Sequence, residues 1–303
     1  MDVYLPIANL SVNGLFIVLL GGLTGILSGM FGVGGGFLTT PLLIFYGVPP
    51  TVAAASASTQ VTGASVTGVL AHSQRRGVDY HMGAVMVAGG MLGTGIGALL
   101  FRFFQSIGQI DVIISALYVV LLGTIGATMG REAWQSLRGT ATGNSQAPRR
   151  RHHPVVTALP LRWRFYRSGL YISPLAPLIL GFVVGILTML MGVGGGFIMV
   201  PAMLYILGMS AGVVVGTSLF NILFVTVAST IMHSLTTRAV DIILVALLLI
   251  GSVSGVQIGA KLALKAKPEL LRLILAAIVL LIAFRMLFGL GFRPDEIFTV
   301  QPL

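Results

Sequence analysis

The chain has 303 residues, of which 56% are hydrophobic and only 9% are charged. Soluble globular proteins carry about 25% charged residues, so this chain has too few to cover a water-facing surface. It contains no cysteine, which excludes disulfides, thiolate chemistry and cysteine-ligated metals. The long apolar segments predict an all-α polytopic membrane protein.

The net charge of +10 is concentrated in one polar segment between apolar blocks. The arginines of that segment are Arg131, Arg138, Arg149, Arg150, Arg151, Arg162, Arg164 and Arg167. Short basic segments mark the cytoplasmic side of membrane proteins. We therefore expect the lipid bilayer as a partner and no nucleic-acid partner.

The apolar blocks, taken in chain order, predict the helical segments of two similar halves. They lie at about 9–31, 37–47, 51–72, 81–101 and 110–130, and at about 174–191, 197–208, 211–232, 240–262 and 270–290. A full span needs about 20 residues, so the second block of each half is predicted to be a half-helix. No basic residue precedes the first block, which we interpret as a retained span rather than a cleaved signal.

The two halves are an internal repeat. Gly32-Val-Gly-Gly-Gly-Phe37 returns as Gly192-Val-Gly-Gly-Gly-Phe197, and the matches continue, with two one-residue insertions, to Gly259. We expect two homologous halves of four to five helical segments each, with the short helices after the GVGGG motifs. The predicted division is a first transmembrane repeat (1–130), a basic cytoplasmic linker (131–168), a second transmembrane repeat (169–292) and a short tail (293–303).

The distribution of basic residues favours opposite orientations of the halves. The densest basic loop of the second half corresponds to the loop at Arg102 in the first half, and it holds Lys261, Lys265, Lys267 and Arg272. If both this loop and the linker lie inside, the repeats are inverted. Parallel repeats stay open at this point, because the result depends on whether each half-helix crosses the membrane.

The glycine runs predict helix N-termini inside the membrane. The first N–H groups of a helix have no intrahelical partner, and the helix dipole adds partial positive charge there, so a pair of such ends can bind an anion. The predicted substrate-binding residues of the two runs are Gly34, Gly35, Gly36, Phe37, Gly194, Gly195, Gly196 and Phe197. The alternative is close helix packing at glycine. A nucleotide loop is excluded because Phe37 and Phe197 stand where a P-loop needs lysine.

A polar stretch follows each half-helix. We expect it to line the same path, with Ser58, Thr59 and Gln60 in the first half and Thr217, Ser218 and Asn221 in the second. An amide near the centre of a span is costly unless it is hydrogen-bonded, which fits donors along a polar path. The alternative is hydrogen bonding between helices without a ligand.

No carboxylate falls near the centre of a predicted span, which argues against a proton relay and a cation site. Asp79 and Asp241 stand at predicted helix starts and are interpreted as N-caps. His72 and His233 are matched residues that we place at the membrane edge. Neither a nucleophile nor a metal-ligand pattern is present. We therefore predict no enzyme activity, no metal and no cofactor, and a small anionic substrate.

These motifs resemble the TauE/SafE sulfite exporter family. The resemblance is carried by GVGGGFLTTP at 32–41 and GVGGGFIMVP at 192–201, and it covers nearly the whole chain except the linker and the tail. It implies a secondary transporter of small sulfur-containing anions, such as sulfite or organosulfonates, in the cell inner (cytoplasmic) membrane. Alternating access around a substrate held at the helix N-termini is the expected mechanism. A passive anion channel and a non-transporting scaffold subunit are the alternatives, and a homodimer stays open.

Overall fold

The computed structural model describes residues 2–31, 34–74, 77–137, 163–165, 167–263 and 268–291. The predicted tail, most of the linker, Gly32 and the loop lysines Lys265 and Lys267 lie outside the described residues. Within the described ranges the chain is helical apart from two small hairpins, so the prediction of an all-α polytopic protein is confirmed.

The helices and strands follow the predicted duplication. The first half contains β1 (Asp2–Leu5), β2 (Leu10–Asn13), α1 (Gly14–Phe31), α2 (Gly36–Phe45), α3 (Pro50–Gln74), α4 (Tyr80–Ser106) and α5 (Ile110–Leu137). The second contains β3 (Trp163–Phe165), β4 (Leu170–Ile172), α6 (Leu175–Met191), α7 (Gly196–Tyr205), α8 (Ala211–Met232), α9 (Ile242–Ala263) and α10 (Pro268–Gly291). A π-helical turn, His233–Thr237, closes α8.

The described residues include six helices that are long and apolar enough to cross a membrane. They are Gly14–Phe31, Tyr80–Ser106, Ile110–Arg131, Gly212–Thr237, Ile242–Gly259 and Leu273–Leu290. The predicted half-helices are also confirmed, because α2 and α7 have ten residues each and start at the last glycine of their motifs. Ten residues span about 15 Å, which is half the hydrocarbon thickness of a bilayer.

The hairpins are an element that the apolar pattern did not reveal. The strands β1 and β2 pair antiparallel just before α1, and β3 and β4 do the same before α6. The block predicted at 9–31 therefore becomes helical only at Gly14. The segment predicted as linker includes the end of α5, up to Leu137, and the strand that starts at Trp163.

Each hairpin is fixed by a buried carboxylate of the other repeat. Ile7 N–H donates to Asp241 Oδ2 over 3.0 Å, and Ser168 N–H donates to Asp79 Oδ2 over 2.9 Å. The same carboxylates cap helices, since Asp79 Oδ1 accepts from Met82 N–H at the start of α4 and Asp241 Oδ1 plays the same role at the start of α9. Their predicted role as N-caps is confirmed.

The repeats exchange their fourth helices. One hydrophobic core combines the first hairpin, α1, α2 and α3 with α9 of the second repeat. The other combines the second hairpin, α6, α7 and α8 with α4 of the first repeat. We call these bundle A and bundle B. Each bundle therefore contains one helix that belongs to the other half of the sequence.

Glycines make this exchange possible by letting backbones touch. A Cβ added at Gly93 of α4 would lie 2.0 Å from the carbonyl oxygen of Phe182 in α6, and one added at Gly251 of α9 would lie 2.0 Å from that of Val18 in α1. The glycines at the α4–α6 and α9–α1 contacts recur every four residues along α4 and α9, at Gly89, Gly93, Gly97, Gly251, Gly255 and Gly259. Small residues at such spacing permit the closest packing of membrane helices.

The two bundles meet along α3 and α8, which run antiparallel. Ser58 Oγ lies 3.4 Å from Ser229 Oγ, and one turn further along α3 the hydroxyl of Thr62 donates to Thr226 Oγ1 over 2.9 Å. As the residue number increases along α3, the number of the facing residue in α8 therefore decreases. Because α3 and α8 are equivalent helices of the repeat, their opposite directions matter for the orientation of the halves.

The helices α5 and α10 belong to a second compact unit, residues Asp111–Thr142 with Lys267–Leu303. Within it a Cβ added at Gly126 would lie 3.0 Å from Leu280 side-chain atoms, so the glycine admits a large side chain of α10. This unit pairs the fifth helices of the two repeats.

Alanine at Gly93 is expected to destabilise the protein, because its methyl group would overlap backbone atoms of α6. Overpacking of this kind costs about 1–3 kcal/mol. Gly95→Ala on the same helix is the matched control, since nothing lies within 4 Å of a Cβ there. Thermal unfolding in detergent should show a lower Tm for Gly93→Ala only. Equal Tm values for the two variants would contradict the backbone contact.

Candidate functional site

The glycine breaks use backbone angles that other residues rarely adopt. The φ angles are +86° at Gly34, +66° at Gly35, +74° at Gly194 and +72° at Gly195. Side chains disfavour this left-handed region, whereas glycine enters it without steric cost. The interruption of both helices is therefore written into the repeated motif.

The two breaks come together in the structure. The rings of Phe37 and Phe197 stack with centroids 4.6 Å apart and an angle of 8° between their planes. A Cβ added at Gly36 would lie 2.6 Å from the carbonyl oxygen of Gly192. Residues 34–37 and 194–197, which the sequence proposed as two parts of one site, are thus neighbours.

Apolar side chains fill the contact between the breaks. Val61 of α3 and Ile222 of α8 both lie against Gly34 and Gly194, with 2.7 Å and 3.0 Å separating their methyl groups from a Cβ added at Gly194. Both side chains are fully buried, as are the stacked rings of Phe37 and Phe197. In this conformation the contact between bundles A and B is closed at the breaks.

The short helices begin at this closed contact without side-chain caps. No side chain of the described residues caps the first turn of α2 or of α7. The carbonyl of Gly35 accepts from Leu38 N–H over 3.1 Å, and that of Gly195 accepts from Ile198 N–H over 3.1 Å. The first N–H of α2, at Gly36, donates to the carbonyl of Gly34 over 2.7 Å, and the helix dipole concentrates positive charge at the start of both helices.

Two amides lie on the same turns of α3 and α8 as the residues that touch the breaks. Gln60 precedes Val61, and Asn221 precedes Ile222. Both amides are fully buried, and within the described residues neither their nitrogen nor their oxygen atoms have a hydrogen-bond partner. The hydroxyl of Ser218, one turn before Asn221, is also buried and has no hydrogen-bond partner among the described residues.

The surroundings of Asn221 show which helices enclose it. Its Oδ1 atom lies 3.6 Å from a Cβ added at Gly90 of α4, and the carbonyl oxygen of Gly181 in α6 lies 3.5 Å from the same point. Asn221 therefore points toward the seam between α4 and α6, inside bundle B. An unpaired buried amide costs about 1–3 kcal/mol, so retaining one here requires a reason beyond packing.

Three other predicted site residues have protein partners. Ser58 and Thr59 face Ser229 and Thr230 across the α3–α8 contact. Thr217 Oγ1 accepts from the backbone N–H that precedes α4 and donates to the carbonyl of Val213. These are hydrogen bonds between and within helices, and no ligand is needed to account for them.

Sequence reasoning missed hydroxyls beside the breaks. A Cβ added at Gly35 would lie 3.3 Å from Ser28 Cβ, and one added at Gly195 would lie 3.2 Å from Thr188 Oγ1. Ser28 and Thr188 occupy matching positions one turn before each break, so a residue-by-residue alignment of the halves could have found them. Ser65 of α3 is a further buried hydroxyl without a partner in the described part of the chain.

His233 begins the π-helical turn that closes α8, near the end of its span, and the protein covers it. Its ring is fully buried, with Nε2 3.0 Å from the carbonyl oxygen of Met189, and it packs edge-on against Phe101. The exchange of α4 into bundle B supplies Phe101 and covers the histidine, which could not be foreseen from the order of the spans.

Comparison of the sequence with models of known protein families identifies the family of the chain. Residues 17–286 match the family described as Sulfite exporter TauE/SafE. The chain belongs to the TauE/SafE sulfite exporter family. The resemblance read from the GVGGGF motifs is thereby confirmed, and the chain is a membrane protein of a transporter family.

Relatives of this TauE/SafE protein carry general names. It is 28% identical to "Probable membrane transporter protein YjnA" of Bacillus subtilis over 89% of this chain and 98% of the relative. It is 24% identical to "Probable membrane transporter protein YunE" of the same species, over 90% of this chain and 96% of that protein. A "Probable membrane transporter protein" of Xylella fastidiosa is 28% identical to it over 87% of this chain and 90% of the relative. No solved structure matches this TauE/SafE protein at a significant level.

Substitution of Gln60 by leucine should show whether the Gln60 amide stabilises helix packing or is available to bind a ligand. Because Gln60 has no partner in the described residues, Gln60→Leu is expected to leave the Tm unchanged or raise it. Thr62→Val is the control, since it removes the hydrogen bond to Thr226 and should cost about 1 kcal/mol. Thermal unfolding of the substrate-free protein measures both. If Gln60→Leu lowers the Tm as much as Thr62→Val does, Gln60 holds helices together.

Proposed function

We propose that this protein is a secondary transporter of small sulfur-containing anions, such as sulfite or organosulfonates, across the cell inner membrane. The observation that carries the proposal is the set of buried side chains without a hydrogen-bond partner among the described residues on the two helices that touch the glycine breaks, namely Gln60 and Ser65 of α3 and Ser218 and Asn221 of α8. A buried polar group that no described residue satisfies is a candidate for satisfaction by a ligand.

In the proposed site the anion is held by neutral groups. The amide nitrogens of Gln60 and Asn221 and the hydroxyl of Ser218 donate to its oxygens, and the first turns of α2 and α7 direct partial positive charge toward it. Broken helices in corresponding places of two repeats are the arrangement by which many secondary transporters bind substrate. The family description, Sulfite exporter TauE/SafE, supports sulfur oxyanions as the cargo.

Alternating access is proposed to follow from inverted repeats. The antiparallel contact between the equivalent helices α3 and α8 supports inversion. A two-fold axis relates two antiparallel helices only when the axis is perpendicular to them, and for helices that cross the membrane such an axis lies in the membrane plane. We propose that bundles A and B are the bodies that move, rather than the two halves of the sequence. The stacked Phe37 and Phe197 rings would separate when the path opens to either side.

A passive anion channel is the alternative. The closed contact of Phe37, Phe197, Val61 and Ile222 would be the gate of a channel or the closed barrier of a carrier. The two mechanisms differ in kinetics, because only a carrier shows saturable counterflow that is accelerated by substrate on the opposite side.

Uptake of radiolabelled sulfite into proteoliposomes should be saturable and should show counterflow. We expect Gln60→Leu and Asn221→Leu to reduce the rate about tenfold or more, the equivalent of about 1.4 kcal/mol or more of lost binding free energy. Ser254→Ala is the control, since this exposed hydroxyl of α9 bonds only its own helix in the described structure. Single-channel currents would favour the channel, and the absence of flux for sulfite and for organosulfonates would refute the proposal.

Spin labels can identify the moving bodies, because the chain has no native cysteine to remove. Leu19, Leu99 and Ile250 are more than half exposed and accept labels after substitution by cysteine. Leu19 and Ile250 lie in bundle A but in different repeats, whereas Leu19 and Leu99 lie in the same repeat but in different bundles.

We expect the 19–99 distance to change by several ångströms on addition of sulfite and the 19–250 distance to stay constant. Double electron–electron resonance measures both pairs in the same lipid. A change in the 19–250 distance with a constant 19–99 distance would show that the sequence halves move instead.

A further inference from the structure

We propose that bundles A and B separate more readily at one end of the α3–α8 contact than at the other, a preference that rests on the proposed function of alternating access. In a carrier built from inverted repeats, exchanging the conformations of the repeats converts one open state into the other. Identical ends would give the two open states equal free energy. The two ends of this contact have different side chains, so the two open states differ.

The first end of the contact, which we call the hydroxyl end, joins the first half of α3 to the last part of α8. Three pairs of hydroxyl oxygens lie 2.9 to 3.4 Å apart there, namely those of Ser58 with Ser229, Thr59 with Thr230, and Thr62 with Thr226. All three pairs link a residue of bundle A to a residue of bundle B.

The other end, which we call the apolar end, joins the second half of α3 to the first half of α8. A Cβ added at Gly68 would lie 3.0 Å from Leu219 Cδ1, so the glycine admits the leucine side chain. Val69 and Val215 pack against the same buried hydrophobic cluster as Leu219. Apolar side chains therefore close the contact at this end.

The internal repeat relates the two ends residue by residue. The alignment that matches Gln60 with Asn221 and His72 with His233 gives each hydroxyl residue a counterpart at the apolar end. The counterparts are Leu219 for Ser58, Phe220 for Thr59, Leu223 for Thr62, Ser65 for Thr226, Gly68 for Ser229 and Val69 for Thr230. Five of the six counterparts have no hydroxyl, so the asymmetry lies in the sequence of the contact.

Ser65 shows the consequence for hydrogen bonding. Its counterpart, Thr226, accepts a hydrogen bond from Thr62. The counterpart of Thr62 is Leu223, which cannot hydrogen-bond through its side chain. Ser65 Oγ is accordingly buried without a partner among the described residues.

Separation of the hydroxyl end leaves its threonines with partners. Thr62 Oγ1 also donates to the carbonyl of Ser58, one turn earlier in α3, over 3.0 Å. Thr226 Oγ1 likewise donates to the carbonyl of Ile222 in α8 over 2.8 Å. These bonds stay within one helix when α3 and α8 separate, and water can replace the bonds between the helices at little net cost.

Separation of the apolar end has no such compensation. Exposing Leu219 and Val69 to water costs free energy in proportion to the apolar area, and a leucine or valine side chain gains no hydrogen bond in return. We therefore expect the substrate-free protein to open and hydrate at the hydroxyl end while the apolar end stays closed. Opening of the apolar end then requires free energy from substrate binding.

Single cysteines can measure which end opens, because the chain has no native cysteine. Ser58→Cys and Leu219→Cys place a thiol at equivalent positions, and both native side chains are buried in the closed contact. The full chain, in lipid nanodiscs without added anion, is treated with a membrane-impermeant maleimide that reaches both faces of the membrane. Labelling is normalised to the same variant unfolded in SDS.

We expect Ser58→Cys to be labelled about tenfold faster or more than Leu219→Cys, which corresponds to about 1.4 kcal/mol or more in favour of opening at the hydroxyl end. Thr230→Cys and Val69→Cys form a second equivalent pair, both partly buried, which guards against altered packing at position 219. The same order of rates is expected for this pair.

Exchange of side chains between the ends provides a further test. Thr62→Leu together with Thr226→Ser gives the hydroxyl end the residues that the apolar end has at the equivalent positions, Leu223 and Ser65. In the background of Ser58→Cys this double substitution should slow labelling toward the rate measured for Leu219→Cys. An unchanged rate would show that these hydroxyls do not set the preference.

The outcomes separate the opening preference from the transport function. Equal labelling at the two ends, faster labelling at the apolar end, or no labelling at either end would overturn the preference. If saturable sulfite counterflow accompanies such a result, the proposed function stands and only the preference is wrong. If neither sulfite nor organosulfonates are transported while the hydroxyl end is labelled faster, the proposed function fails and the unequal opening of the contact remains.

Discussion

The structure depends on helices that start inside an apolar protein. A helix start exposes N–H groups without intrahelical partners, and water is not freely available there to satisfy them. Gly35 and Gly195 have positive φ angles, and a new helix begins at the next residue in each repeat. Because the break occurs in both repeats, the two starts lie together against Val61 and Ile222, with the hydroxyl residues Ser28 and Thr188 beside them.

The exchange of fourth helices follows from a second constraint, the need for backbone contact between membrane helices. In lipid, apolar side chains gain little by leaving the bilayer, so close packing at glycine is what holds α4 to α6 and α1 to α9. The carboxylates Asp79 and Asp241 add hydrogen bonds from each exchanged helix to the hairpin of the partner repeat. Both devices make the bundle, and not the sequence half, the cohesive body.

Hydrogen bonding separates two kinds of polar residue in the interior. Hydroxyls such as Thr62 return their bond to the backbone or to the facing helix, so they tolerate burial and tie α3 to α8. The amides of Gln60 and Asn221 carry both a donor and an acceptor group that need partners, and the described residues satisfy none of them. This difference is why the amides and the unpartnered hydroxyl of Ser218, and not the hydrogen-bonded hydroxyls, carry the proposed binding of an anion.

The sequence by itself determined the membrane class, the duplication, the half-helices after the glycine runs and the capping role of Asp79 and Asp241. These features depend on local composition and periodicity, which a single chain displays directly. The apolar pattern did not reveal the hairpins, because four alternating residues are too few to stand out beside a long apolar block. Only the tertiary structure decided that α4 and α9 exchange, that His233 is covered by Phe101, and which polar residues lack partners. These features depend on which helices contact each other. The spacing of glycines in the sequence indicates that a helix can pack closely, but it does not specify the helix against which it packs.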